Sequence, residues 1–447
     1  MELSKILNKK LSLLSLTWPI FIELSLQLLV NNIDQVMLSR VSDKAVAAVG
    51  NVNQIMNVLV ITFSVVTMAT TILVSQYLGA KNHSKVSEIY TVSIFTNFIF
   101  GIASGILLFI LGSYILNLIK LPNDLINDAN IYMNIVGGGL FLQSLFLTYS
   151  AIFRSNGLMK QTMYISILVN ILNIIGNTIL LNGYFGLPKM VVDGVAISSV
   201  MSRFIGVVII AYIFKREVNG EISLKYIRPF PKDTFKKLIN IGIPSGGENI
   251  SYNISQTVIL AIVNTLGTTI VTGRTYIGII VMISYLYANA VSQANQIIVG
   301  HLIGAKEEDE AYKCVLDTLK KAMLVTLIVS GSIFIFSDYI LGIFTKDITI
   351  LRLGKHILFI DIFLELGRSI NMVTIRGMQA AGDIKFPVMV GIISMWLISA
   401  LFSYIFAIQF NMGLYGVWLA MAMDEILRGI IFYNRWRRGS WRSKLVM

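Results

Sequence analysis

Twelve stretches of this chain are apolar over about the twenty residues that a helix needs to cross a hydrocarbon layer ~30 Å thick. They fall near 13–38, 46–77, 87–119, 125–153, 161–182, 190–214, 236–264, 275–303, 322–344, 351–376, 386–409 and 412–434. Several exceed 25 residues, which predicts tilted helices or helices extending past the lipid. Composition closes off the soluble alternative. Of 447 residues, 55% are hydrophobic and 13% charged, against about a quarter charged in soluble domains. A soluble fold of this size could not hide so much apolar surface, and a disordered chain would not carry it. Membrane strands would alternate in segments of ~10 residues. Here 104–111 reads Ser-Gly-Ile-Leu-Leu-Phe-Ile-Leu, continuously apolar after its first two residues. An all-α polytopic membrane protein is expected.

Basic residues set the expected orientation. With a cytoplasmic N-terminus, 25 Lys and Arg fall on the cytoplasmic side. Eight fall opposite: Arg40, Lys44, Lys120, Lys189, Arg274, Lys346, Arg352 and Lys355. Arg203, Arg368 and Arg428 lie inside spans. This asymmetry predicts both termini in the cytoplasm. The net charge of +12 therefore sits in short clusters between apolar runs, which does not point to nucleic acid. Lys5, Lys9 and Lys10 precede the apolar run like the start of a signal peptide. No small-residue cleavage site follows, so 13–38 reads as a first span. Cys314 alone cannot form an intramolecular disulfide and reads as a packing residue. His83, His301 and His356 are too dispersed to suggest a metal site.

The chain repeats itself. Pro19 and Glu23 recur as Pro244 and Glu248, Gly79-Ala80-Lys81 as Gly304-Ala305-Lys306, and Gly157 and Lys160 as Gly382 and Lys385. Every pair is 225 residues apart. The predicted organisation is a six-helix lobe over 1–215, a basic cytoplasmic linker over 216–235 and a second six-helix lobe over 236–447. Each half holds an even number of spans, so both enter the membrane in the same sense. Parallel repeats of this kind place substrate sites between the halves near the midplane, and solute transport is the default function.

Further residues carry a family likeness. Pro19 with Asp34 in Asn-Asn-Ile-Asp-Gln-Val-Met resembles the first helix of multidrug and toxic compound extrusion (MATE) transporters. Tyr-Leu-Gly-Ala-Lys-Asn at 77–82, Arg-Ser-Asn-Gly at 154–157, Arg-Gly-Met-Gln-Ala-Ala-Gly-Asp at 376–383 and Gly-Leu-Tyr-Gly-Val-Trp at 413–418 resemble the same family. The likeness runs from about residue 11 to 442. It implies two homologous six-helix lobes, V-shaped and related by a pseudo-two-fold. It also implies export of organic, multidrug-type solutes, cationic ones above all, against inward Na⁺ or H⁺. Asp34 matches the family's first-helix acid. Asn173 and Asn177 in Asn-Ile-Ile-Gly-Asn match a fifth-helix pair, and Asn at 177 is similar to the NorM-like branch. Glu248 after Pro244 and Glu365 eleven residues before Arg376 match the acids of the second lobe. Asp361 has no counterpart that can be carried over.

Carboxylates fall within the spans at Glu23, Asp34, Glu248, Asp361, Glu365, Asp424 and Glu425. An ionised side chain at the bilayer centre costs ~2.5–3.5 kcal/mol on insertion scales, so each must face water, be paired or be protonated. Such oxygens, with neighbouring amides, suit Na⁺ or exchange a proton. Asp34, Asn173, Asn177, Glu248, Asp361 and Glu365 are the coupling candidates. Glu248, Glu365 and Asp361 are expected to converge as three mutually repelling carboxylates able to hold Na⁺. Asp361, at i−4 from Glu365, either ligates the ion or lines a wet cavity. Asn173 and Asn177 share a face that interhelical hydrogen bonding would also explain. Glu23 reads as structural, paired with a buried cation such as Arg203, and Asp424, Glu425 and Arg428 as a local structural cluster. Pro19 and Pro244 inside helices predict kinks or hinges. The 19 Met, 24 Phe, 18 Tyr and 5 Trp suit a pliable pocket for cationic drugs.

The expected protein is thus a monomeric, multi-pass antiporter of the plasma (inner) membrane, bounded by membrane lipid. It has no nucleic-acid partner and no cofactor beyond its coupling ion. A lipid-linked oligosaccharide or polysaccharide flippase of a related superfamily is the rival. That activity would favour a basic cavity for pyrophosphate, whereas the acids named above outnumber the three intramembrane arginines. No His-Glu zinc motif, Gly-Xaa-Ser-Xaa-Gly elbow or P-loop suggests an enzyme.

Overall fold

The computed structural model describes residues 12–444, which form fourteen helices and, among the described residues, no strand. In the first half these are α1 (Leu13–Ser39), α2 (Asp43–Gly79), α3 (His83–Leu118), α4 (Asn123–Gly138), α5 (Leu140–Ser155), α6 (Met159–Asn182) and α7 (Val192–Glu217). The second half holds α8 (Lys232–Asn264), α9 (Thr268–Gly304), α10 (Glu308–Ile335), α11 (Ser337–Phe344), α12 (Ile348–Ala380), α13 (Lys385–Gln409) and α14 (Gly413–Arg437). The basic start at Lys5, Lys9 and Lys10 lies outside the described residues.

Each of the twelve predicted spans is helical. Eight helices are long and apolar enough to cross a membrane, and α4 with α5 forms a bent ninth. The remaining spans are α8, α12 and α14, at 33, 33 and 25 residues. At 1.5 Å per residue even α14 exceeds ~30 Å. Their average hydropathy is low because they carry Glu248, then Asp361, Glu365 and Arg368, then Asp424, Glu425 and Arg428. Two predicted spans are interrupted. Residues 125–153 bend by 47° after Gly137-Gly138-Gly139, where three residues without side chains weaken the helix. Residues 322–344 divide at Phe336 between α10 and α11.

The repeat is visible in the backbone. Helices α2 and α9 both contain 37 residues and end at Gly79 and Gly304. The turns that follow place Lys81 and Lys306 at φ 56° and 61°, left-handed values in both. Gly157 and Gly382 also share positive φ, at 77° and 92°. The chain thus consists of two homologous six-span lobes.

By packing, the chain forms two compact units whose borders fall beside the repeated prolines. One unit, here the N-terminal unit, comprises Ile22–Leu78 and Asn82–Ile243; the C-terminal unit comprises the chain from Pro244 onward, Gly79–Lys81 and the described chain up to Phe21. Helices α1 and α8 therefore each change unit within a few residues of Pro19 and at Pro244, both of which lie inside a helix.

Within each unit the usual burial pattern of a soluble protein is relaxed. Phe109, Ile110 and Leu118 of α3 are each more than two-thirds exposed, as suits a lipid-facing surface, whereas small polar groups are buried between helices. In the N-terminal unit Asn97 donates to Thr148 Oγ1 at 2.8 Å, and Thr70 donates to Ser93 Oγ at 2.8 Å. Such bonds satisfy polar groups that lipid cannot. Apolar clusters complete the packing, around Phe63, Met133 and Leu140 in the N-terminal unit and around Trp436, Val373 and Trp418 in the C-terminal unit.

Candidate functional site

In the N-terminal unit the site begins with a close helix contact. Gly176 lies between Asn173 and Asn177 on α6, and a Cβ there would collide with the Ser198 hydroxyl of α7. The missing side chain lets Ser198 donate to the Asn173 carbonyl at 2.8 Å, while Asn173 Nδ2 donates to Ser199 Oγ at 3.1 Å. One turn on, Asn177 Nδ2 donates to Asp34 Oδ1 of α1 at 2.6 Å. Asn173 and Asn177 are buried, and neither amide oxygen accepts a hydrogen bond among the described residues. A carboxylate thus adjoins an acceptor-only amide oxygen, hard-donor chemistry suited to a small cation or a proton. Arg203 of α7 acts electrostatically on Asp34, and Tyr132, which donates to Asn53 Oδ1 at 3.2 Å, lies within reach of both charges.

Glu23, expected to pair with a cation such as Arg203, has a different neighbourhood. It is buried, accepts a long bond from Ser166 Oγ at 3.5 Å, and feels the guanidinium of Arg154 on α5. Its repeat mate Glu248 correspondingly feels Arg376, as well as Arg428 and Glu425. The basic residues that open the two family-like segments at 154 and 376 therefore act on repeat-related glutamates. Their different offsets concealed this relation in the sequence.

The C-terminal unit holds a larger network, again set by close packing. A Cβ on Gly367 of α12 would stand 2.8 Å from Ile426 N of α14, so the two backbones meet there. Beside this contact Arg368, the residue after Gly367, forms an ion pair with Glu365 on its own helix and reaches Glu425 Oε1 of α14 at 3.5 Å. Arg428 contacts Asp424 Oδ2 at 2.6 Å and Glu425 Oε1 at 3.1 Å. Asn371 Nδ2 donates to Glu425 Oε2 at 2.7 Å, and Ser394 Oγ of α13 donates to Asp424. The predicted local cluster on α14 is thus half of an inter-helix network. The sequence signal was available, since Arg368 lies at the depth of Glu365, yet spacing alone does not say which helices touch.

The three carboxylates expected to converge are not drawn together. Glu365 is held by Arg368, while Asp361 accepts from the indole of Trp418 at 3.0 Å. Glu248 has no hydrogen-bond or ion-pair partner among the described residues, and its Oε1 lies opposite Gly391 of α13, 3.1 Å from where a Cβ would stand. Among the described residues no three His, Cys, Asp or Glu are gathered closely enough to hold a metal ion. The reason is electrostatic: arginines interleave with the acids and relieve the repulsion that a bare triad would suffer. Acids still exceed cations. Arg368 and Arg428 form ion pairs with Glu365, Asp424 and Glu425, whereas Glu248 and Asp361 make none among the described residues and feel arginines only at longer range, Arg428 and Arg376 for Glu248 and Arg368 for Asp361.

A helical membrane protein built from two homologous halves, each with buried acids at membrane depth, has the architecture of a secondary transporter. Comparison with known proteins gives the family. The MatE family model matches residues 19–179 and again 244–405, beginning both times at the repeated proline. The chain belongs to that family, the multidrug and toxic compound extrusion transporters. It is 39% identical over 99% of its length, and 97% of the relative's, to the uncharacterized transporter YisQ of Bacillus subtilis. It is 26% identical to the probable multidrug resistance protein NorM of Thermotoga maritima, covering 97% of this chain and 94% of that protein. Among solved structures, a MATE protein in a bent conformation superposes with a TM-score of 0.88 at 20% identity, covering 96% of each chain. A MOP superfamily transporter from Pyrococcus furiosus, described as having a binding pocket of reversed polarity, superposes at 0.86 with 21% identity, over 97% of this chain and 96% of that one.

Proposed function

We propose that this protein is an antiporter of the plasma membrane that exports organic cations in exchange for inward Na⁺ or H⁺, with both termini in the cytoplasm. The observation that carries the reading is the surplus of carboxylates over arginines in the C-terminal unit, where half-buried Glu248 and buried Asp361 form no ion pair among the described residues. A carboxylate shielded from water and without a cation in direct contact favours binding either a small cation or a proton. A cationic solute would meet the same unbalanced charge, so ion and solute would displace one another, as exchange requires. The multidrug resistance names of the NorM relatives support organic compounds as the exported class. The pair Asp34–Asn177, with Asn173 one turn away, provides a second, smaller ion or proton site in the N-terminal unit. Pro19 and Pro244, beside the borders of the packing units, act as hinges when access alternates.

The test is transport of a fluorescent cationic dye by the purified protein in liposomes. The reading expects uphill dye movement when a Na⁺ or a pH gradient is imposed, and none when both are collapsed. Dye movement indifferent to both gradients would overturn it.

A further inference from the structure

A cavity in the N-terminal unit, away from both acid sites, has a lining and a surround that suit a lipid. It measures about 340 Å³ and lies among α3, α5, α7 and the connection that follows α7. Ile94, Phe95, Phe98, Tyr149, Val207 and Leu224 make most of its wall apolar. The connection forms one side because it is tied to α3: the backbone N–H of Glu221 donates to Ser87 Oγ at 3.1 Å, and that of Ser223 to Thr91 Oγ1 at 3.3 Å. Behind the cavity, Tyr149 and Tyr90 pack edge-on against Phe214.

The connection has two characters. Its apolar side chains are left uncovered by protein, with Leu224 72% exposed and Ile222 and Phe230 also exposed. Water alone would be a poor solvent for that surface, whereas the boundary of a bilayer accommodates it. Between 215 and 237 the chain also carries seven Lys and Arg against three acids. One acid, Glu221, is already paired with Lys225. Arg216 and Arg228 are exposed, with Arg216 stacked over Tyr212 at 4.6 Å. An apolar slot beside a basic rim matches an amphiphile with a hydrocarbon tail and a negative head.

We propose that this cavity binds one acyl chain of an anionic phospholipid from the adjoining leaflet, whose head group rests on the basic connection between the two halves. The lipid would then be a bound component at the one connection joining the repeats, distinct from the transported solute.

The experiment is native mass spectrometry of the full-length protein in mild detergent, titrated with phosphatidylglycerol or with phosphatidylcholine of the same chain length. Phosphatidylglycerol is expected to remain bound and phosphatidylcholine to be retained at least fivefold less. Ala211→Trp, which fills the cavity and leaves the charge intact, should cut phosphatidylglycerol occupancy at least fivefold. The exposed double change Arg216→Ser and Arg228→Ser should cut it at least threefold with the fold unaltered, and decides the question alone if Ala211→Trp does not fold. Phosphatidylglycerol carrying a photoreactive acyl chain should label α3, α7 and residues 222–227. Equal retention of the two lipids, wild-type occupancy in either variant, or protection of the label by a cationic dye would overturn the proposal.

Discussion

The two units answer the same problem, an acid at membrane depth, with different chemistry. In the N-terminal unit the carboxylates stand apart: Asp34 accepts from the Asn177 amide at 2.6 Å, with Asn173 and its serine partners one turn away along α6, and Glu23 accepts from Ser166. In the C-terminal unit four carboxylates on α12 and α14 lie among Arg368 and Arg428, with Ser394 of α13 bonded to one of them and a fifth, Glu248 of α8, at the margin. The repeat preserved the backbone, down to matching left-handed residues at 81 and 306, while the polar interior diverged. Shared topology therefore fixes where an acid can be placed, and the neighbouring side chains decide what it does.

The largest expected effect is on folding of the ion-paired unit. Arg428→Met leaves Asp424 and Glu425 buried without their shared cation, which should cost ~3–5 kcal/mol. Arg203→Met, which breaks no ion pair among the described residues, should cost far less. Thermal unfolding of the two purified variants checks the contrast, and equal losses would break it. Next comes transport: Asp34→Asn should abolish gradient-driven efflux with membrane insertion intact, and wild-type efflux from a folded variant would remove Asp34 from coupling. Smaller still is the Asp34–Asn177 bond itself. A double-mutant cycle of Asp34→Ala and Asn177→Ala, followed by unfolding, should give ~1.5–3 kcal/mol, the range for hydrogen bonds to charged groups. The smallest effect is expected for Ser199→Ala, which loses one neutral interhelical bond worth ~0.6 kcal/mol on the same assay.

Much of this was legible in the sequence, because the signals were local. Runs of apolar residues identified twelve spans, and the 225-residue offset identified the lobes. Asp34 with Asn177 could be named as candidates, since each falls within a family-like segment. What could not be read was which helix faces meet. Glycines decide this: Gly176 brings α7 to Asn173, and Gly367 brings α14 to Arg368. A missing side chain is as visible in sequence as any other residue, but its partner is not. For that reason Arg154 rather than Arg203 turned out to act on Glu23, and the expected triad of Glu248, Asp361 and Glu365 opened into a wider network.

The central claim is that unbalanced carboxylates in the C-terminal unit couple solute to ion, and Glu248 tests it most directly because no ion pair is lost with it. The measurement is dye flux through wild-type protein and Glu248→Gln in the same liposomes, downhill without an ion gradient and uphill with one. The account predicts that Glu248→Gln keeps downhill flux but loses uphill accumulation by about 10-fold or more. Uphill accumulation equal to the wild type under both Na⁺ and pH gradients would contradict it.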